Sequence, residues 1–170
     1  EQISIPTPNR LPAVFEALRR GWDIHAIHEC NQIDLWFLQQ MAEIVAAEKQ
    51  LATEALDSLS PFKAKHYKSI GLSDQKMADV LKTDVESIVR FRSENGVVPV
   101  YKRVDTCAAE FVSHTPYLYS SYADEDEAGE STSDRIIVLG NGPNRIGQGL
   151  EFDYCCCHAA MAVREAGYTA

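Results

Sequence analysis

No run in this chain approaches 18 consecutive apolar residues, and its first residues lack a basic stretch followed by an apolar one. Neither a membrane-crossing helix nor secretion is therefore indicated. Glycine (9) and proline (7) are few, while 45% of the 170 residues are hydrophobic and 24% charged, a balance that excludes disordered, collagen-like and low-complexity classes. Base is also in short supply: 16 Lys and Arg stand against 25 Asp and Glu, a net charge of -9. Such a surface repels polyanions, so a nucleic-acid partner would need a local basic face. Disulfide spacing is missing too. Cys30, Cys107 and the adjacent Cys155, Cys156 and Cys157 are odd in number and clustered, unlike a secreted framework, so reduced thiols and a cytoplasmic setting are expected.

What is present, from residue 9 to residue 96, is a succession of short capped helices. Asn9 can cap a helix through Arg20, with Val14, Phe15 and Leu18 on its apolar stripe and Gly21 as the stop. Trp22-Asp23 opens a second helix to about Cys30. Asn31, three residues before Asp34, forms a weak relative of a capping box for a third, which carries Ile33, Trp36, Phe37, Met41, Ile44 and Val45 to about Gln50. Its aromatic pair is expected in the core. Ser60-Pro61 starts a helix ending at Gly71, Ser73 caps one bearing Met77, Ala78 and Leu81, and Thr83 with Glu86 makes a capping box for one bearing Val85, Ile88, Val89 and Phe91. Six helices in this space predict a mainly α domain. Trp22, Trp36, Phe37, Phe62, Phe91 and Phe111 exceed what such helices need, so some are expected to line a partner surface.

From Val97 the pattern changes. Val98 to Tyr101 reads as extended, Asp105-Thr106 as the cap of a single helical turn through Phe111, and Thr115 to Tyr119 as either strand or loop. Residues 124–134 hold almost no apolar side chains and read as an acidic linker. Beyond it Ile136 to Leu139 forms an apolar run entering Gly140, followed by a helix from about Phe152 to Ala166. Strand, glycine loop and helix make the opening of a βαβ unit. A lone strand and helix cannot complete a sheet, so 136–139 is expected to be disordered, docked on the helical domain, or paired between chains. The chain opens on Glu1 rather than Met and stops just after Gly167, where an extended segment from Tyr168 and Thr169 is expected, and it reads as a piece of a larger parent.

Four patterns invite chemistry. The loop Gly140 to Gly149 is rich enough in glycine to cradle a phosphate, yet Arg145 stands where the dinucleotide pattern needs glycine, and Gln148-Gly149 where the P-loop needs Lys-Ser/Thr. Tight strand-to-helix packing is the plainer account. In Cys155-Cys156-Cys157-His158, consecutive helical residues diverge by about 100°, so only Cys155 and His158 could share a metal. Small buried thiols facing a sheet fit better. His25, His28 and Cys30 likewise suit a partly buried helix face. Finally, residues 71–92 have helix-turn-helix spacing, but the second helix begins Asp84-Val85-Glu86, which would meet phosphates with like charge.

Three stretches resemble one family, the large chain of carbamoyl phosphate synthase. They are Ile33 to Leu38 (IDLWFL), Pro99 to Phe111 (PVYKRVDTCAAEF) and Gly142 to Cys156 (GPNRIGQGLEFDYCC), with Asn141 and Cys157 as small departures beside the last. The resemblance implies a helical oligomerisation domain over residues 1–134, acidic linker included. Residues 135–170 would then be the first strand, loop and helix of a second synthetic half's pre-ATP-grasp domain. The fold class is thus mainly α followed by an incomplete α/β segment. It further implies a cytoplasmic ATP-dependent ligase parent, serving arginine and pyrimidine biosynthesis, that makes carbamoyl phosphate from bicarbonate, ammonia from a glutaminase subunit, and two ATP. ATP with Mg or Mn, and K, would sit on segments of that parent outside this chain, which carries no catalytic, cofactor or metal residue and is expected to be inactive alone. Its expected partners are further copies of itself and the glutaminase subunit, with no nucleic acid or membrane. Gly149 and Glu151 resemble residues lining the family's carbamate passage, where a glycine wall leaves the bore open. The rival reading is a free-standing helix-turn-helix module that binds nucleic acid.

Overall fold

The computed structural model describes residues 2–115, 117–129, 134–140, 142 and 151–170, without the side chains of 151 and 152. The chain divides into two compact units, residues 1–127 and 128–170. The first holds helices α1 (Arg10–Arg19), α2 (Ile24–Asn31), α3 (Leu35–Leu51), α4 (Pro61–Ser69), α5 (Asp74–Leu81) and α6 (Val85–Glu94), and then strands β1 (Val100–Arg103) and β2 (Leu118–Ser121).

Short polar side chains start most of these helices by taking up otherwise unpaired backbone N–H groups, each worth about 1 kcal/mol. Asp23 accepts from the N–H groups of His25 and Ala26, Ser60 from Lys63 ahead of Pro61, and Ser73 from Lys76. Two starts differ from the expected ones. The cap of α3 is Asp34, which accepts from Trp36 N–H at 2.8 Å, while Asn31 belongs to the end of α2 and its Oδ1 accepts from Ile33 N–H. The cap of α6 is Asp84, which accepts from both the N–H and the hydroxyl of Ser87, in place of the Thr83–Glu86 pair. In both cases the residue directly before the helix wins, because its side chain reaches the first-turn N–H groups without bending the chain. Asn9 precedes α1 but makes no side-chain cap. Gly21 and Gly71 hold φ of +85° and +99°, the left-handed stops that end α1 and α4.

Two apolar clusters fill this unit. Val14, Ala17 and Leu18 of α1 meet Ile27 of α2 and Leu38, Met41 and Val45 of α3. Ala47 and Leu51, further along α3, meet Leu59, Ala64 and Tyr67, then Leu72, Met77, Ala78, Ile88 and Val97. Helix α3 is thus common to both. At the changeover sits Glu48, only 8% exposed. Its carboxylate accepts from Arg19 of α1 at 2.7 and 3.0 Å and pairs with Lys76 of α5 at 3.3 Å. The Arg19 hydrogen bonds, helped by both positive charges, outweigh burial and hold the Glu48 carboxyl below its usual value.

Beyond α6 the chain forms an antiparallel ribbon with Val100 opposite Ser121 and Arg103 opposite Leu118. Residues 105–111 of the loop between its strands form no helical turn. Ala108 and Ala109 instead take left-handed φ of +50° and +59°, a conformation costing an L-residue about 1–2 kcal/mol. Asp105 imposes it, its two carboxylate oxygens accepting from the N–H groups of Cys107 (2.8 Å) and Ala109 (2.7 Å). The acidic stretch after β2 is partly tied down, since Asp124 pairs with Lys65 and Glu127 with Lys102.

In the second unit, residues 134–140 hold one bridge residue, Arg135, and no regular element, and α7 spans Glu151–Glu165. Instead of disorder, Ile136 donates its N–H to Thr169 O at 2.9 Å and Thr169 donates to Asp134 O at 3.1 Å, a single parallel bridge centred on Arg135. The run 136–139 is therefore paired near its own end, although Ile137 and Leu139 stay largely exposed, with no further strand beside them among the described residues. A β-carbon built on Gly140 would meet Cys156 Sγ at 3.4 Å.

Two measurements test this fold. A depressed carboxyl contributes stability that is complete above the unfolded value of 4.5 and is lost as pH falls below it. Glu48→Gln should cost about 2 kcal/mol at pH 7 in urea unfolding and flatten the loss of stability below pH 4.5; an unchanged acid limb would contradict the assignment. Replacing Ala108 and Ala109 by glycine should raise the thermal midpoint by about 2–4 °C, the relieved strain exceeding glycine's entropic cost. A fall would argue against left-handed alanines.

Candidate functional site

The inward arc of α3 is set by Leu38, Met41 and Val45. Trp36 lies two residues ahead of Leu38, about 200° round the helix, and Phe37 about 100° round. Both are consequently pushed outward, 63% and 57% exposed, rather than into the core as the apolar spacing had implied. Their rings touch edge to face with centroids 5.0 Å apart. Trp36, Gln40, Glu43, Ala47 and Gln50 recur at helical spacing along one stripe of α3. From Gln40 onward this stripe lines a groove whose other wall includes His66 and Ser69 of α4 and Ile70 just after it. Phe62, 83% exposed, shares the α4 stripe of His66 and Ser69.

Trp22 is half-exposed beside a shallow groove with Ile3, Ala13 and Ala17, and Phe111 stands out from the ribbon loop. Phe91 alone among the six singled-out aromatics packs against the core. The α3–α4 face therefore presents aromatic side chains, neutral amides and a single carboxylate. Exposed rings beside adaptable amides suit a protein partner: burial supplies the energy, and amide hydrogen bonds fix the orientation.

The α5–α6 pair has been put to another use. Asp74, first residue of α5, accepts from Arg92 at 2.7 Å and from Lys68 at 2.9 Å. Burial alone would raise the Asp74 carboxyl, but the two hydrogen-bonded cations hold it below the usual range. Arg92 also donates to Val97 O (2.9 Å) and to the Tyr122 hydroxyl (3.3 Å), and Lys68 and Arg92 lie 5.5 and 6.0 Å from the Tyr122 ring centre. Two of the bases that a nucleic-acid reader could use thus clamp the ribbon onto the helices. At the start of α6, hydrogen bonds from Ser87 hold the Asp84 carboxyl below its usual value beside Glu86. The nucleic-acid alternative is not supported. Nothing in the local sequence announces the clamp, whose members are far apart along the chain.

The remaining candidates separate. His28 donates from Nδ1 to Ile33 O at 2.6 Å, closing the turn between α2 and α3. Cys30, Cys155 and Cys157 are exposed, and Cys107 and Cys156 are intermediate, so the triple is not the buried set expected; the sheet that would cover it extends to one bridge only. Among the described residues no group of three or more His, Cys, Asp or Glu side chains is placed to hold a metal ion. Most of the Gly140–Gly149 loop, Gly149 included, lies outside the described residues, and Glu151 is described as the first residue of α7 without its side chain.

Comparison with known proteins bears on the same two units. Residues 1–96 match the family described as carbamoyl-phosphate synthetase large chain, oligomerisation domain, and residues 132–170 match the carbamoyl phosphate synthase preATP-grasp domain. The arginine-specific, chloroplastic carbamoyl phosphate synthase large chain of Arabidopsis thaliana is 45% identical over 98% of this chain and 14% of its own. The carbamoyl phosphate synthase large chain of Pseudomonas putida is 47% identical over 98% of this chain and 16% of its own, and that of Mesorhizobium japonicum 45% over 99% and 15%. The chain thus spans about one seventh of the length of these relatives. A capped six-helix unit, the start of a βαβ unit and similarity along nearly the whole sequence agree: the chain belongs to the carbamoyl phosphate synthase large-chain family, whose oligomerisation domain its helical part matches.

Proposed function

We propose that this chain is the stretch of a carbamoyl phosphate synthase large chain that joins the two synthetic halves and brings copies of that chain together. The observation that carries the second role is the exposed Trp36–Phe37 pair, continued along the α3–α4 groove on a unit whose core is already complete without it. Association through that face buries two aromatic rings and costs no charged side chain other than Glu43 its water. The parent is a cytoplasmic ligase joining ammonia, delivered by a glutaminase subunit, to bicarbonate at the expense of two ATP. ATP, Mg or Mn, and K belong to its synthetic halves. In this reading the chain itself contributes connection and assembly rather than a catalytic group.

Gly149 and Glu151 are proposed, on the family resemblance, to line the passage that carries carbamate between the halves. Any side chain at Gly149 would narrow a channel that must keep a labile intermediate from water.

Sedimentation velocity should show this chain self-associating, and Trp36→Ser with Phe37→Ser should weaken association at least about tenfold while moving the thermal midpoint little, since exposed positions contribute about ±0.5 kcal/mol. Association that survives both substitutions would sink the assignment of this face. In the full-length polypeptide, Gly149→Phe should leave bicarbonate-dependent ATP turnover running while carbamoyl phosphate output falls, and the same assay on the present chain should give no turnover. Unchanged coupling would remove Gly149 from the passage.

A further inference from the structure

Residues 97–131 lie between the two stretches that match family descriptions, although similarity to relatives runs through them. They hold the β1–β2 ribbon, whose two edges are treated differently. Val104 donates its N–H to Tyr117 O at 2.9 Å, which fixes Lys102 with Tyr119 and Val100 with Ser121 as the hydrogen-bonded pairs. The backbone groups of Tyr101 and Arg103 therefore point out from β1, and those of Leu118 and Ser120 point out from β2. On the β1 side Glu127 closes the edge, donating its N–H to Tyr101 O at 2.7 Å and accepting from Arg103 N–H at 2.6 Å. On the β2 side no backbone partner meets Leu118 or Ser120 among the described residues.

An open edge is normally guarded by charge, yet residues 115–123 contain no Lys, Arg, Asp or Glu in a chain of net charge -9. Beside this edge the ribbon shows further apolar surface. Tyr101 and Leu118 are both more than two-fifths exposed, and the strained loop presents Phe111 and Val112 at 68% and 75% exposure. A two-stranded ribbon is marginal alone, and a third strand is what its neutral edge and apolar flank are shaped to receive.

We infer that β2 takes on a third, extended strand from the synthetic half that continues beyond residue 170 in the same polypeptide, with Phe111 and Val112 covered by it. This rests on the reading that the chain is part of a longer synthase. The relatives are about seven times longer, and the ribbon directly precedes the second unit, so a segment of that half is tethered at an effective concentration of about millimolar. A second copy is the competing occupant of this edge, and the crosslinking arm below separates it from a segment of the same polypeptide.

Amide hydrogen exchange at Leu118 and Ser120, resolved by residue, compares this chain with the full-length polypeptide. Both amides should exchange near the unprotected rate here and at least about 100-fold more slowly in the full-length protein. A photo-crosslinker at Val112 should then link to residues beyond 170 of the same polypeptide, told from another copy by mixing isotopically light and heavy protein. Ser120→Pro removes an outward N–H and restricts φ there while leaving every ribbon hydrogen bond its donor, so it should restore fast exchange at Leu118 in the full-length protein without altering sedimentation of this chain. Equal exchange in both proteins, or crosslinks confined to a second copy, would overturn the inference. Failure of the self-association reading appears in sedimentation alone, and failure of the synthase reading as a full-length protein that makes no carbamoyl phosphate; neither outcome changes the exchange ratio.

Discussion

A carboxylate placed inside a helical core has to be matched from every side, and Glu48 is matched from two other helices at once. Its position on α3 falls where the first apolar cluster ends and the second begins. Arg19 approaches from α1 and Lys76 from α5, so the two halves of the helical unit cannot shift along α3 without unpairing a carboxylate that is largely out of water. Apolar packing supplies most of the folding energy here, as in any helical domain, but it is directionless. The Glu48 junction supplies the direction: it fixes which turn of α1 and which turn of α5 face the same turn of α3.

With both clusters closed around one helix, the outer stripe of α3 is left for something else. The aromatic pair at its head makes no contribution to either core, and the groove behind it is walled by the amides of Gln40 and Gln50, the Glu43 carboxylate, small and aliphatic side chains and His66. A second charge junction, at Asp74, does for the ribbon what Glu48 does for the helices. Lys68 and Arg92 converge on one carboxylate and flank the Tyr122 ring, so the chain leaving the helical unit is held at a defined place rather than trailing from α6.

Much of this was legible from residue order. Helix after helix begins at the short polar residue that the sequence nominates, or within three positions of it, because capping is a local interaction between a side chain and N–H groups two or three residues on. The near misses at Asp34 and Asp84 arise where two candidate caps sit within three residues and only geometry chooses. Apolar period alone misplaced Trp36 and Phe37. A stripe of large side chains reads the same whether it meets a core or a partner, and only the arc already claimed by Leu38, Met41 and Val45 decides. The clamp on Tyr122 and the junction at Glu48 were invisible for a different reason: their members are brought together by the fold, and no local pattern records such pairs. The left-handed alanines were missed because propensity argues against them, and the Asp105 side chain overrides it. The resemblance to a family, carried by IDLWFL and the two longer runs, reached further than any of these local rules.

The ribbon is fastened at both of its roots, Val97 buried in the helical core at one end and Tyr122 held between two cations at the other. Between those anchors successive side chains alternate between faces, so gaining or losing one residue within either strand would turn every subsequent side chain over. The length of this connector is therefore constrained: a change at the loop tip, or in steps of two along the strands, keeps the facing of every side chain, whereas a single residue gained within a strand needs a bulge to absorb it. A segment that looks like spacer behaves, in evolutionary terms, as a reading frame.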